Sequence, residues 1–243
     1  MDPSHEVRVQ TSLLAALEKR CLVWIAGRLP SWVTSDQLTA LGSAAMFGAG
    51  VCYSIAAVHR PALFGAIGLL AVNWFGDSLD GTVARVRHTE RPRYGFYVDH
   101  VLDALGVLFL VAGLVLGGFM SLAVGAGFLI AYYLLANEIA LATHTVGVFR
   151  ISYWKCGPTE LRLALAVGTL ALLRSSETHV LGSPVLLFDI GGIVGIVGLL
   201  TTFVTSAIRN TRTLYRAEPL PPHPRPDTPT DAQPSRRALF GHP

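Results

Sequence analysis

The chain has 243 residues, of which 51% are hydrophobic and only 14% charged, with a formal net charge of +3. Apolar runs of about 20 residues recur along it, each rising about 30 Å as a helix, which excludes an ordinary soluble domain and predicts an all-α, polytopic membrane protein. The basic residues sit beside apolar runs rather than along one soluble face, so nucleic acid is not an expected partner, and the scattered cysteines Cys21, Cys52 and Cys156 form neither a disulfide framework nor a zinc site.

The N-terminal segment, residues 1–34, opens with a polar stretch. His5, Glu6, Arg8, Glu18 and the Lys19-Arg20 pair interrupt it before any apolar core adequate for a cleavable signal. Leu13, Leu14, Leu17, Cys21, Trp24 and Ile25 recur at helical spacing opposite Glu18, Lys19 and Arg28. That pattern predicts an amphipathic interfacial helix ending near Pro30, although the same periodicity suits a helix packed on the body.

Residues 35–216 form the expected membrane domain, with six spans at residues 38–58, 62–84, 95–117, 120–143, 159–173 and 184–208. Pro61 suits the first turn of the second span, where its missing N–H costs nothing, and Gly117-Gly118-Phe119 turns the chain after the third. The fifth run is the shortest, and Arg162 and Arg174 at its ends are expected to snorkel to the interfaces. Residues 217–243 carry eight prolines and little that is apolar, which predicts a disordered tail. With both termini inside, all nineteen Lys and Arg residues except Arg60 and Arg174 fall on the cytoplasmic side, the orientation favoured by the positive-inside bias.

Residues 73–103, NWFGDSLDGTVARVRHTERPRYGFYVDHVLD, carry the chemistry. They place Asp77 and Asp80 three apart at the end of one apolar segment, and Asp99 and Asp103 four apart at the start of the next. On helices each pair shares a face, so two helix ends present four acids to one space. Four carboxylates beside a membrane repel one another and lose hydration unless a cation joins them. All-oxygen ligation suits Mg²⁺, Mn²⁺ or Ca²⁺, and a magnesium ion keeps room for substrate phosphates that the neighbouring arginines can meet. A diphosphate substrate is the natural expectation, on the cytoplasmic side where soluble nucleotides are available.

At these positions the sequence resembles the CDP-alcohol phosphotransferase (CDP-alcohol phosphatidyltransferase) family: Asp77, Asp80, Gly81, Ala84, Arg85, Gly95, Asp99 and Asp103 match its signature. The loop from Arg85 to Gly95 is one residue longer than usual there, and Ser35-Asp36 stands where a Pro-Asn pair is common. The resemblance implies that Asp77, Asp80 and Asp99 hold one or two Mg²⁺ or Mn²⁺ ions against the diphosphate of a CDP-linked donor. Asp103, also within the ligand set, would take the proton of an alcohol acceptor as CMP leaves. It further implies a homodimer in the membrane, phospholipid biosynthesis as the setting, and Gly81, Ala84, Arg85 and Gly95 as contacts to the CDP moiety. Each has a plainer reading as well: helix packing for Gly81 and Ala84, a topological arginine for Arg85, a helix breaker for Gly95.

Four further residues are candidate acceptor or headgroup contacts. Asn73, one turn before Asp77, either orients that acid or packs between helices. Glu138, inside the fourth span, lines the acceptor pocket or pairs with an arginine. Glu160 and Arg162 begin the fifth helix, where capping explains Glu160 equally well.

The direction of transfer stays open at this level. A phosphatidyltransferase would use CDP-diacylglycerol and a small alcohol, as the short chain and its resemblance to bacterial cytoplasmic-membrane enzymes suggest. An aminoalcohol phosphotransferase would use CDP-choline or CDP-ethanolamine and diacylglycerol. A cation or proton transporter is the reading from another class, but it calls for acids at the bilayer midplane and an inverted repeat. The acids cluster at one face, and no repeat is detectable.

Overall fold

The computed structural model describes residues 15–146, 158–180 and 182–218, with the backbone alone for residues 15–19 and 158–160. Among the described residues seven helices run in order: α1 (Ala15–Ala26), α2 (Ser35–Ala56), α3 (Ala62–Val86), α4 (Pro92–Leu116), α5 (Leu122–Val146), α6 (Pro158–Arg174) and α7 (Leu187–Ala217). Five of them, α2 to α5 and α7, are long and apolar enough to cross a membrane, so the chain is built as a multi-pass membrane protein. The expected fifth span, α6, has 17 residues and lies at the lower limit of a crossing helix. A short antiparallel hairpin, β1 (Glu177–Val180) and β2 (Ser183–Leu186), joins it to α7 and was not expected from the sequence. The predicted tail from residue 219 onward lies outside the described residues.

Helix ends follow local chemistry. Thr34 caps α2 through a capping box: its hydroxyl accepts from Gln37 N, and the Gln37 side chain accepts from Thr34 N. The α3 end is a Schellman motif in which His88 takes the left-handed conformation at φ 55°, with Thr89 N donating to Ala84 O at 2.9 Å. Gly118, at φ 71°, serves the same purpose after α4. Pro92 stands at the first position of α4, so that helix begins three residues before Gly95 and absorbs part of the longer loop.

Packing centres on α2, which touches both α3 and α4 through glycine. A Cβ on Gly76 would lie 2.6 Å from Leu38 O and 2.8 Å from Gly42 N, and one on Gly113 would lie 2.1 Å from Gly50 O. Only hydrogen fits at these crossings, and the backbones approach as small-residue membrane contacts allow. Two apolar clusters flank the middle of the bundle. Tyr53, Leu63, Leu70, Leu110, Leu114, Leu172 and Phe188 belong to one, and Leu22, Ala26, Leu38, Leu79 and Val83 to the other. The second shows that α1 packs on α3, while Val23 and Trp24 face outward.

Arg87 fastens that N-terminal helix. Its guanidinium donates to the carbonyls of Leu29 at 3.0 Å and Pro30 at 2.9 Å, and to those of Ser31 and Val33. The segment that links α1 to α2 thereby gains a partner for carbonyls no helix satisfies. At the opposite end Arg60 donates to Leu172 O at 2.9 Å and closes the end of α6.

Two outcomes follow from this packing. Gly113→Ala forces backbone atoms apart and should cost about 2 kcal/mol, lowering the unfolding temperature in detergent by roughly 5 °C. Gly68→Ala, whose Cβ meets nothing within 4 Å, should leave that temperature unchanged, and an equal fall in both would sink the explanation. Arg87→Gln should cost the linker about 2 kcal/mol of local stability and speed amide exchange of residues 22–33 roughly 30-fold, with exchange in α2 and α3 unaltered.

Candidate functional site

The site lies in a polar layer between the two apolar clusters, where α2, α3 and α4 meet. Thr39, Gly42, Ser43 and Met46 of α2, Asn73 and Asp77 of α3, and Asp99, Leu102, Asp103 and Gly106 of α4 line one cleft. On α3 the spacing of four puts Asn73 and Asp77 on one side, and on α4 the same spacing aligns Asp99 with Asp103. The two faces oppose each other across the cleft because α3 and α4 both pack on α2.

Asp77, Asp99 and Asp103 each offer a carboxylate oxygen, and these oxygens all lie within 4.8 Å of one another. A single divalent ion bound at about 2.0–2.6 Å can reach such a set, and hard oxygen donors suit Mg²⁺ or Mn²⁺. The donor set therefore fits a divalent ion. Asp80 lies outside the converging three: its Oδ2 accepts from Thr39 Oγ1 at 2.6 Å, which ties α3 to α2 one turn away.

Arg162 corrects one sequence-based expectation. Rather than reaching an interface, it turns inward and donates from Nη2 to Asp77 Oδ2 at 2.6 Å and from Nε to Asn73 Oδ1 at 2.8 Å. An arginine inside a membrane bundle is costly unless it is paired, and this acid offers the pairing that the lipid interface would otherwise supply. Asn73 is buried and satisfied on both sides of its amide, since Nδ2 donates to Gly42 O at 3.0 Å. It packs between α2 and α3 and shares the Arg162 guanidinium with Asp77.

The remaining candidates are spread along the same region. A Cβ on Gly81 would lie 3.4 Å from Arg85 Nη1, so the Arg85 guanidinium folds across that glycine, and its Nη2 donates to Thr82 Oγ1 at 3.1 Å. Ala84 is half-buried one turn further on. Gly95 is exposed, and a Cβ there would meet nothing within 4 Å, which leaves its backbone open to approach. Glu138 is buried between α5 and α7, away from the cleft lining. Its Oε1 accepts from Ser206 Oγ at 3.0 Å and Asn210 Nδ2 at 2.6 Å, whereas Oε2 has no hydrogen-bond partner among the described residues. The Glu160 side chain lies outside the described residues.

Sequence reasoning missed the α2 wall. Thr39, Gly42, Ser43 and Met46 recur at helical spacing on an otherwise apolar run, a signal of a polar or crowded face that composition alone conceals. It also missed Tyr132 of α5, which lies within electrostatic reach of Asp103, Asp99 and Asp77, and Tyr133, whose hydroxyl donates to Ala104 O at 3.0 Å beside Asp103.

Compared with known proteins, residues 32–204 match the family model described as CDP-alcohol phosphatidyltransferase. No curated protein sequence matches the chain. The matched region covers α2 to α6, the hairpin and most of α7, and it includes the eight signature positions and the whole cleft. With well over half of its length matched and the acids converging between α3 and α4, the chain belongs to the CDP-alcohol phosphatidyltransferase family.

Proposed function

We propose that this protein is an integral membrane CDP-alcohol phosphatidyltransferase, which moves a phosphatidyl or related substituted phosphate group from a CDP-linked donor to an alcohol hydroxyl. The observation that carries the proposal is the meeting of three carboxylate oxygens within 4.8 Å on facing stretches of α3 and α4, well inside both helices rather than at the ends expected from the sequence, and within the family-matched region. Homodimer formation and an active site on the cytoplasmic face complete the reading.

Asp77, Asp99 and Asp103 would hold a Mg²⁺ or Mn²⁺ ion, with Asp80 extending the set toward a second. When bound, the ions polarise the phosphoryl group and stabilise the leaving phosphate. Gly81 and Ala84 leave room along α3 for the donor, Arg85 meets its phosphates, and Gly95 lets the α4 backbone come close. Asp103 accepts the hydroxyl proton of the alcohol as its oxygen attacks the phosphorus beside the lipid. The bond from that phosphorus to the CMP oxygen breaks, and CMP leaves with the electron pair. Glu160 and Arg162 are candidate acceptor contacts at the start of α6, and CDP-diacylglycerol is the proposed donor.

The test is CMP release by the purified protein in detergent and lipid with Mg²⁺, with CDP-diacylglycerol and CDP-choline or CDP-ethanolamine offered separately against panels of acceptors. Acceptor-dependent CMP from CDP-diacylglycerol, abolished in Asp99→Asn, is the expected result. CMP from the aminoalcohol donors with diacylglycerol would reverse the direction of transfer, and none from any donor would remove the proposal. Asp103→Asn should retain nucleotide binding while turnover falls by about 10²- to 10⁴-fold. An unchanged rate would exclude Asp103 as the base.

A further inference from the structure

The Arg162 guanidinium lies where a cation is wanted. It comes from α6, outside the trio of helices that forms the cleft, and bridges one turn of α3 from Asn73 Oδ1 at 2.8 Å to Asp77 Oδ2 at 2.6 Å. The Arg162 and Asp77 side chains are only 13% and 26% exposed, so solvent screens this pair far less than a surface ion pair. The same Asp77 carboxylate shares the converging set with Asp99 and Asp103. One acid therefore faces two claims on its charge, from a guanidinium already in contact and from the divalent ion that the three acids fit.

We infer that Arg162 is the resident counter-cation of the acid cluster, and that a divalent ion entering between Asp77, Asp99 and Asp103 displaces it from Asp77 and loosens the start of α6. The inference rests on the metal reading proposed above. Arg162 keeps the bundle closed when no ion neutralises the acids, because the carboxylates would otherwise repel one another at short range. Displacement leaves the guanidinium attached to Asn73 and moves one wall of the region beside the cleft. A role confined to aiming Asp77 has the opposite sign. Loss of an aiming partner weakens metal binding by about 10- to 100-fold, whereas loss of a positive charge beside a doubly charged ion strengthens it. For a guanidinium and an ion sharing one partly buried carboxylate, repulsion is the larger effect.

The experiment is a Mn²⁺ titration followed by electron paramagnetic resonance, using wild-type protein and Arg162→Gln purified in detergent without substrate. Arg162→Gln should bind Mn²⁺ at least about tenfold more tightly. It should unfold at a lower temperature than wild type in EDTA, with the gap closing once Mn²⁺ is added. In wild-type protein Mn²⁺ should speed amide exchange of residues 161–166, a readout available even where Arg162→Gln cannot be purified. Equal or weaker Mn²⁺ binding by Arg162→Gln overturns the inference, as does exchange in that segment that is unchanged or slowed by Mn²⁺. Absence of Mn²⁺ binding in both proteins removes the metal reading as well, which separates the two failures.

Discussion

Everything at the site depends on how closely α2 lies against its two neighbours. Membrane helices gain little from burying apolar faces against one another, because lipid tails are as apolar as leucine, so close contact must come from shape and polar pairing. Here the shape is set by glycine, with Gly42 against Gly76 and Gly50 against Gly113. Gly76 immediately precedes Asp77, so the crossing that holds α2 on α3 also fixes the backbone from which the first acid projects. Asn73 Nδ2 on Gly42 O and Thr39 Oγ1 on Asp80 Oδ2 then lock the same crossing with hydrogen bonds.

Such rigidity matters because the acids act as a set. Carboxylates held close together resist ionisation and repel, and the arrangement survives only where the scaffold opposes that repulsion or a counter-charge relieves it. The α2 crossings supply the scaffold, and Arg162 supplies a positive charge from a fourth helix. Thr39 draws Asp80 partly aside, and the three remaining acids converge closely enough to share one ion.

The helix that each pair of acids occupies and the membrane class were legible in the sequence because they depend on local spacing. A spacing of three or four shares a helix face wherever the helix goes, and a run of about 20 apolar residues spans lipid in any fold. Arg162 was read in the wrong direction for the complementary reason. Its position at the end of a short apolar run argues for snorkelling, and only the tertiary approach of α6 to α3 reveals Asp77 and Asn73 as partners. Thr39, Gly42 and Ser43 escaped notice because small and hydroxyl residues are ordinary in membrane helices until a second helix gives them something to touch. The paired strands β1 and β2 were hidden by their length, since two four-residue strands carry too little alternation to separate from a loop.

The outer helices show how polar pairing substitutes for apolar burial. Helix α6 is joined to the core by Arg162 at one end and Tyr53 in its middle. Thr169 Oγ1 donates to Leu165 O, so the Tyr53 hydroxyl is the donor in its 2.5 Å contact with Thr169. Helix α7 is joined to α5 at two levels, through Glu138 with Ser206 and Asn210 and through Asp189 Oδ1, which accepts from Ser121 N at 2.7 Å. Each link costs desolvation and returns most of it as hydrogen bonds, so it contributes orientation more than net stability. The α6 link that ends on a site carboxylate is the exception, because its partner belongs to the three acids whose geometry fits a divalent ion. Under the displacement proposed above, the position of α6 would report on the bound ion, whereas α7 is joined through Glu138 and Asp189, which lie outside the acid cluster.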